Sequence, residues 1–184
     1  MRQLIGGTLL LAAVTLIPAG SVAQRRAAVR NAGGSAQRLS FGAELNWSSD
    51  VDFGVGARAV FPLQSLVPKL PLDGIVSFDY FFPSAPAGTS EHYWELNGNV
   101  AYRFPVPQRS SFAPYAGGGL NIAHASASVT VLTVTATSSD TKVGLNLLGG
   151  TTFKMNGSNF TPFAEVHAEV GGGKTFVLTG GVRF

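Results

Sequence analysis

The sequence predicts an all-β fold, an eight-stranded antiparallel up-and-down barrel whose strands cross a bilayer. Three observations predict it. From Arg38 onward, hydrophobic and polar residues alternate with a two-residue period in about eight segments separated by turn residues. Hydrophobic residues make up 45% of the 184-residue chain and charged residues only 12%. Yet after residue 20 no apolar run approaches the roughly 20 residues that a membrane helix needs. Finally, the aromatic residues fall at two levels along the strands, as expected where a barrel wall meets the two faces of a membrane.

The chain opens on a targeting segment. Arg2 supplies a positive start, residues 4–18 are almost wholly apolar, and Ser21-Val22-Ala23 reads as a small-x-small cleavage site. Residues 1–23 are therefore expected to be a signal peptide, leaving Gln24 as the new N-terminus. Residues 24–37, rich in Ala, Gly and Arg, read as a disordered periplasmic tail. The net charge of +3 resides mostly here. From Asn31 onward nine basic residues face ten acidic ones, which excludes the electrostatic footprint of a nucleic-acid-binding protein. There is no cysteine, so neither disulfides nor thiolate metal sites enter.

Residues 38–184 carry the barrel pattern. In the first segment Leu39, Phe41, Ala43, Leu45 and Trp47 share one side, with Glu44 and Asn46 on the other. The second sets Phe53, Val55, Ala57, Ala59 and Phe61 against Asp52 and Arg58, and the third sets Val76, Phe78, Tyr80 and Phe82 against Asp73, Ile75, Ser77 and Asp79. The fourth opposes Trp94, Leu96, Val100, Tyr102 and Phe104 to Glu95, Asn97, Asn99 and Arg103. From Phe112 the fifth is less sharp, with Leu120 and Ile122 on one side and Tyr115 and Asn121 on the other. The sixth sets Val143, Leu145, Leu147 and Phe153 against Gly144 and Asn146. The seventh alternates Ala164, Val166, Ala168 and Val170 with Glu165, His167 and Glu169. The eighth alternates Phe176, Leu178, Val182 and Phe184 with Thr179 and Arg183.

If the first strand runs outward, Phe61, Tyr102, Phe104, Phe112, Phe153 and Phe184 form one aromatic girdle and Trp47, Phe53, Tyr80, Phe82 and Trp94 the other. The polar sides then point into a lumen with room for side chains and no wide bore. Connections at 62–71, 105–111 and 154–161 fall at the periplasmic end, while 48–50, 83–90 and 171–173 fall outside. The largest link, 125–140, alternates Ser, Thr and Val and could extend the fifth and sixth strands as a protruding hairpin.

Two clusters look chemical. Glu165-Val166-His167-Ala168-Glu169 places an imidazole between two carboxylates on one strand face, about 7 Å from first to third. That spacing could hold a cation or poise a base. The preferred reading is a structural network of lumen charges: Glu44, Arg58, Asp79, Glu95, Arg103, Glu165, His167, Glu169 and Arg183, with Asp52 and Lys142 adding to it. The second cluster is His124-Ala125-Ser126. No cofactor and no metal are expected.

The closing stretch 176–184 ends in Phe with apolar residues at alternate positions, Phe176, Leu178, Val182 and Phe184. It resembles the signal by which the outer-membrane assembly machinery selects its clients. With Ala-Pro-Tyr-Ala-Gly-Gly-Gly-Leu-Asn at 113–121 and Lys-Val-Gly-Leu-Asn-Leu-Leu-Gly-Gly at 142–150, residues 38–184 resemble the small outer-membrane-protein β-barrel domain family, akin to the opacity and OmpX-like porin-family proteins. The resemblance implies a cell outer-membrane location in a Gram-negative bacterium, contact with outer-membrane lipids and lipopolysaccharide, and assembly through the Phe184 strand. It leaves function open, because relatives of this kind include adhesins and surface-shielding proteins. The leading expectation is a non-enzymatic barrel with a structural or surface-interaction role, meeting any extracellular ligand through 125–140 and 83–90. One alternative is a narrow small-solute channel past Glu95 and Arg103. Another is a lipid-modifying enzyme, since His124-Ala125-Ser126 is similar to the His-x-Ser of lipid A deacylases, although here Ala127 follows where that family has Asn.

Overall fold

Backbone amides and carbonyls cannot be left unpaired in hydrocarbon, so a sheet that crosses a bilayer must close on itself. In the computed structural model it does. The structure describes residues 39–131, 134–155, 157–171 and 174–184, and the expected signal peptide and tail lie outside the described residues. Eight strands follow one another around a closed antiparallel barrel: β1 (Ser40–Ser48), β2 (Asp52–Pro62), β3 (Leu72–Phe82), β4 (Thr89–Arg103), β5 (Phe112–Val131), β6 (Val134–Phe153), β7 (Thr161–Val170) and β8 (Lys174–Arg183). The seam is made by β1 and β8, paired from Gly42 with Arg183 to Ser48 with Val177. No helix long and apolar enough to cross a membrane occurs among the described residues. Crossing is by strands.

The pairing is staggered. Following partners from Ser40 through Val60, Ile75, Asn99, Gly119, Asn146, Glu169 and Thr175 leads back to β1 at the level of Asp50, ten residues further along. Such a stagger requires tilted strands. Gly117 and Gly119 on β5 show how close the walls come: a Cβ on Gly119 would lie 1.9 Å from the Gly98 carbonyl of β4.

We call the end holding Leu39 and Phe184 the base and the opposite end the mouth. At the base, longer connections (63–71, 104–111 and 154–160) join the strands. At the mouth, β1 turns into β2 through Ser48–Asp52, where the Asp50 amide donates to Ser48 Oγ and Asp52 takes a left-handed φ of 61°. The 125–140 link is almost entirely strand, because β5 and β6 stay paired as far as Val131 and Val134. β4 accompanies β5 to Thr89, so Thr89 and Ser90 belong to a strand and not to the 83–90 loop. β7 leaves β6 at Leu145, so β6 projects with β5 on one side and no strand on the other.

The two faces separate by parity. Leu45, Val55, Val76, Leu96, Val100, Leu120, Leu145, Leu147, Val166 and Leu178 stand exposed on the outside. Trp47 is paired with Phe53, Phe53 with Phe82 and Tyr80 with Trp94 near the mouth. Near the base Phe112 is paired with Phe153, the Tyr102 and Phe104 rings meet edge to face at 5.3 Å, Phe61 covers Gly74, and Phe184 donates its amide to Phe41. An exposed aliphatic band between two aromatic levels would be unstable in water and is the exterior of a barrel set in lipid.

Candidate functional site

The interior is built from residues of inward parity on all eight strands. Near its base an apolar plug of Val60, Ile75, Ala101, Tyr115 and Leu148 fills the bore, and Phe81 and Val177 are buried toward the mouth. Ile75 and Tyr115 lie on the side that the sequence pattern turns inward, whereas Val60, Ala101 and Leu148 were not singled out there. Between these apolar fillers lies a polar network, as burial in a medium without free water requires.

Arg58 on β2 is its centre. Its Nε donates to Glu44 on β1, and its Nη2 donates to Glu165 Oε1 on β7 at 2.9 Å. The Phe163 ring lies under the guanidinium, 4.0 Å from its carbon. Glu165 also faces His167 Nε2 at 2.5 Å, and His167 Nδ1 meets the Asn146 side chain at 3.1 Å. From Asn146 the network continues into a second knot. Asn146 and Asn121 both donate to Asn97, at 3.2 and 2.9 Å, and Asn97 donates to Asp79 at 3.3 Å. Asp79 further accepts from Asn46 at 2.6 Å and Ser77 at 2.9 Å, and Thr179 donates to Asn46 at 2.7 Å. Glu95 accepts from Tyr93 at 2.5 Å, and Glu169 from Asn121 at 3.3 Å.

Of the charges read from the sequence, Glu44, Arg58, Asp79, Glu95, Glu165 and His167 are buried inside, and Glu169 is half-buried above them. Arg103 and Arg183 stand apart at the base, where Arg103 pairs with Asp73 at 3.2 Å. Two residues are corrected. Lys142 is half exposed at the mouth beside Asp140, at 3.5 Å, because β6 has already passed the rim there. Asp52 is exposed at the very start of β2, where the strand leaves the β1–β2 turn. The asparagines and Thr179 that join the two knots were not singled out as site residues. Their common inward parity was the signal for them.

Chemically this is a closed lock. No group of three or more His, Cys, Asp or Glu among the described residues is arranged to hold a metal ion. The interior keeps separate cavities: about 250 Å³ at the mouth between Asp50, Tyr93, Asn121, Lys142 and Glu169, about 10 Å³ within the polar knot, and about 30 Å³ at the base. The middle one holds no more than a water.

His124 and Ser126 lie on the outer face near the mouth. His124 stacks on Trp94 with centroids 5.2 Å apart and bonds Thr141 Oγ1 through Nδ1 at 2.7 Å, so its imidazole is engaged away from Ser126. Ser126 is paired across with His92, which joins Tyr80 at 2.6 Å and Ser90 at 3.2 Å. This Ser-His-Tyr line was not legible, since Tyr80 and His92 meet only through the β3–β4 register.

No protein-family model and no curated protein sequence matches the chain. Solved structures do match in shape. Neisserial surface protein A superposes with a TM-score of 0.55 at 18% identity, covering 79% of this chain and 94% of that one. A major outer membrane protein from Thermus thermophilus gives 0.57 at 14%, covering 80% and 99%. Ail, the attachment invasion locus protein of Yersinia pestis, gives 0.51 at 16%, covering 79% and 96%. With its closed ring, lipid-facing exterior and filled interior, the chain has the fold of the small eight-stranded β-barrels of bacterial outer membranes.

Proposed function

We propose that the protein is an integral barrel of the outer membrane, non-enzymatic, which stiffens the envelope and presents the β5–β6 hairpin to the cell surface. The observation that carries this reading is the exterior: an aliphatic band between two aromatic levels, with β5 and β6 running on beyond the upper one. In this reading the mouth faces outward, the band meets lipid and lipopolysaccharide, and an extracellular ligand would be met by the hairpin and the 83–88 loop. The exposed alternate residues Phe176, Leu178 and Phe184, with Val182, would be offered to the assembly machinery. A surface role also agrees with the attachment named for one neighbour in fold. The filled interior favours this role over a small-solute channel.

The test is proteolysis of intact cells combined with gel mobility. The folded protein should run faster unheated than boiled, and external protease should trim the hairpin while leaving a resistant core. Complete digestion of the folded protein would sink the proposal. So would steady single-channel conductance in planar bilayers that Glu95→Gln abolishes.

A further inference from the structure

The mouth of the barrel holds a cavity of about 250 Å³ above the interior lock. An apolar cavity of about 150 Å³ admits benzene, so this one has room for a molecule of about seven to ten non-hydrogen atoms. Its floor is Asn121, buried on β5, and Glu169, half-buried on β7, joined through the Asn121 side-chain amide at 3.3 Å. The Tyr93 ring forms one wall. That ring is held in place, because its hydroxyl donates to Glu95 at 2.5 Å and it meets Phe81 edge to face with centroids 5.5 Å apart. Ala123, Val51 and Val170 supply the remaining apolar wall, and Gly144 adds no side chain to the space. At the rim stand Asp50 and Asp140, both exposed, with Lys142 against Asp140 at 3.5 Å.

The wall selects the ligand. Three carboxylates and one ammonium line the cavity, and below Glu169 the carboxylates of Glu95 and Asp79 are buried as well. The field inside therefore draws cations. A metal ion does not suit the site. Among the described residues no three carboxylate or imidazole groups are arranged to hold one, and a strongly hydrated ion would have to give up water against carbon. An ammonium on an alkyl chain fits, since its charge meets a carboxylate or the face of an aromatic ring while its methylenes meet the apolar wall. Alkyl amines carry that charge at neutral pH, as the lysine side chain does with its pKa of about 10.4. Carboxylates stand both at the floor and at the rim, and Ala123 lies between the two levels on β5. Two charges separated by carbon match that spacing.

We propose that the mouth cavity is a binding site for a linear aliphatic diamine. One ammonium sits on Glu169 beside the Tyr93 ring, the methylenes lie along Ala123, Val51 and Val170, and the second ammonium reaches Asp50 and Asp140 at the rim.

The experiment is a titration of the folded full-length barrel in nonionic detergent micelles, followed by NMR of the Ala123 backbone amide, the Asn121 side-chain amide and the Tyr93 ring. The probes are 1,5-diaminopentane, pentylamine, 1,5-pentanediol and magnesium ion. The diamine should shift all three signals and saturate. Pentylamine should bind about tenfold more weakly, the loss expected for one charge-assisted contact, and the diol and magnesium should not saturate. Glu169→Gln should weaken diamine binding by about tenfold as well. Because that change also touches Asn121 and the lock below, Ala123→Phe serves as the second variant, filling the cavity while keeping every charge. It should abolish binding in a barrel that still shows its folded gel mobility. Absence of saturation below about 100 mM, pentylamine, diol or magnesium binding as tightly as the diamine, or unchanged affinity in Ala123→Phe would each overturn the proposal. Binding in micelles does not depend on which way the barrel sits in a cell, so its failure would leave the surface role standing.

Discussion

Arg58 and Glu165 meet across the inside of the barrel at 2.9 Å, although β2 and β7 are not neighbours in the sheet. With Glu44 on β1 held by the same guanidinium, one side chain ties three strands from within. Removing it strands two buried carboxylates. Arg58→Ala should therefore cost about 3–5 kcal/mol, read as a lower urea midpoint for loss of the fast-running band. The triple variant Arg58→Met, Glu44→Gln, Glu165→Gln leaves no charge unpaired and should lose less. An equal loss in both would mean that packing on Phe163, and not charge, is what Arg58 supplies.

Gly119 and Gly180 should behave oppositely on substitution. A Cβ at Gly119 would lie 1.9 Å from the Gly98 carbonyl and 2.7 Å from the Asn99 Cα, so two backbones must move apart to admit it. Gly119→Ala should lower stability by about 1–3 kcal/mol. Gly180 has nothing within 4 Å of that position and Gly180→Ala should stay within about 0.5 kcal/mol. Equal unfolding midpoints would contradict this close approach of β4 and β5.

Leu147 and Thr137 lie on the same strand and the same outer face, one in the aliphatic band and the other on the projecting hairpin. Leu147→Arg should cost about 2–4 kcal/mol in vesicles, and Thr137→Arg about 0–1. Reversal of that order would place the bilayer at the wrong height on β6.

Which face each residue takes was legible from parity alone, because lipid on one side and a packed lumen on the other leave no ambiguity along a strand. Depth was not. Asp52 and Lys142 have the inward parity of Arg58 and Asn146, yet they sit exposed at the mouth end of β2 and above the rim on β6, since height depends on the ten-residue stagger that no single strand encodes. The same stagger brings Arg58 to Glu165, 107 positions away. The central asparagines were legible as inward residues and not as partners, because an amide donates and accepts and so fits many neighbours. Val60, Ile75 and Leu148 keep the inward parity of Arg58, Ser77 and Asn146, but the polar residues that mark the inner face gave no signal that apolar side chains would plug it.

Ser126→Ala and Ser90→Ala should both leave the lipid acyl profile of the membrane unchanged. His124 is held by Thr141 and Trp94, and the Ser90–His92–Tyr80 line lies exposed on the outer surface. Loss of an acyl-release activity in either variant would reverse the non-enzymatic proposal.

Protein extracted from the membrane fraction should begin at Gln24 when its N-terminus is sequenced. A start at Met1 would show that the segment is retained as an anchor.

Phe184 donating to the Phe41 carbonyl at 2.8 Å has a topological consequence. The two ends of the described barrel meet on one rim, so the strands form a cycle in which no strand is structurally first. Circular permutants that link this rim's ends and open the chain at 154–160 would close the same cycle with its cut between β6 and β7. They would, however, expose a different strand last. Folding thermodynamics and the order in which a membrane receives the strands would thereby become separable quantities in a single molecule.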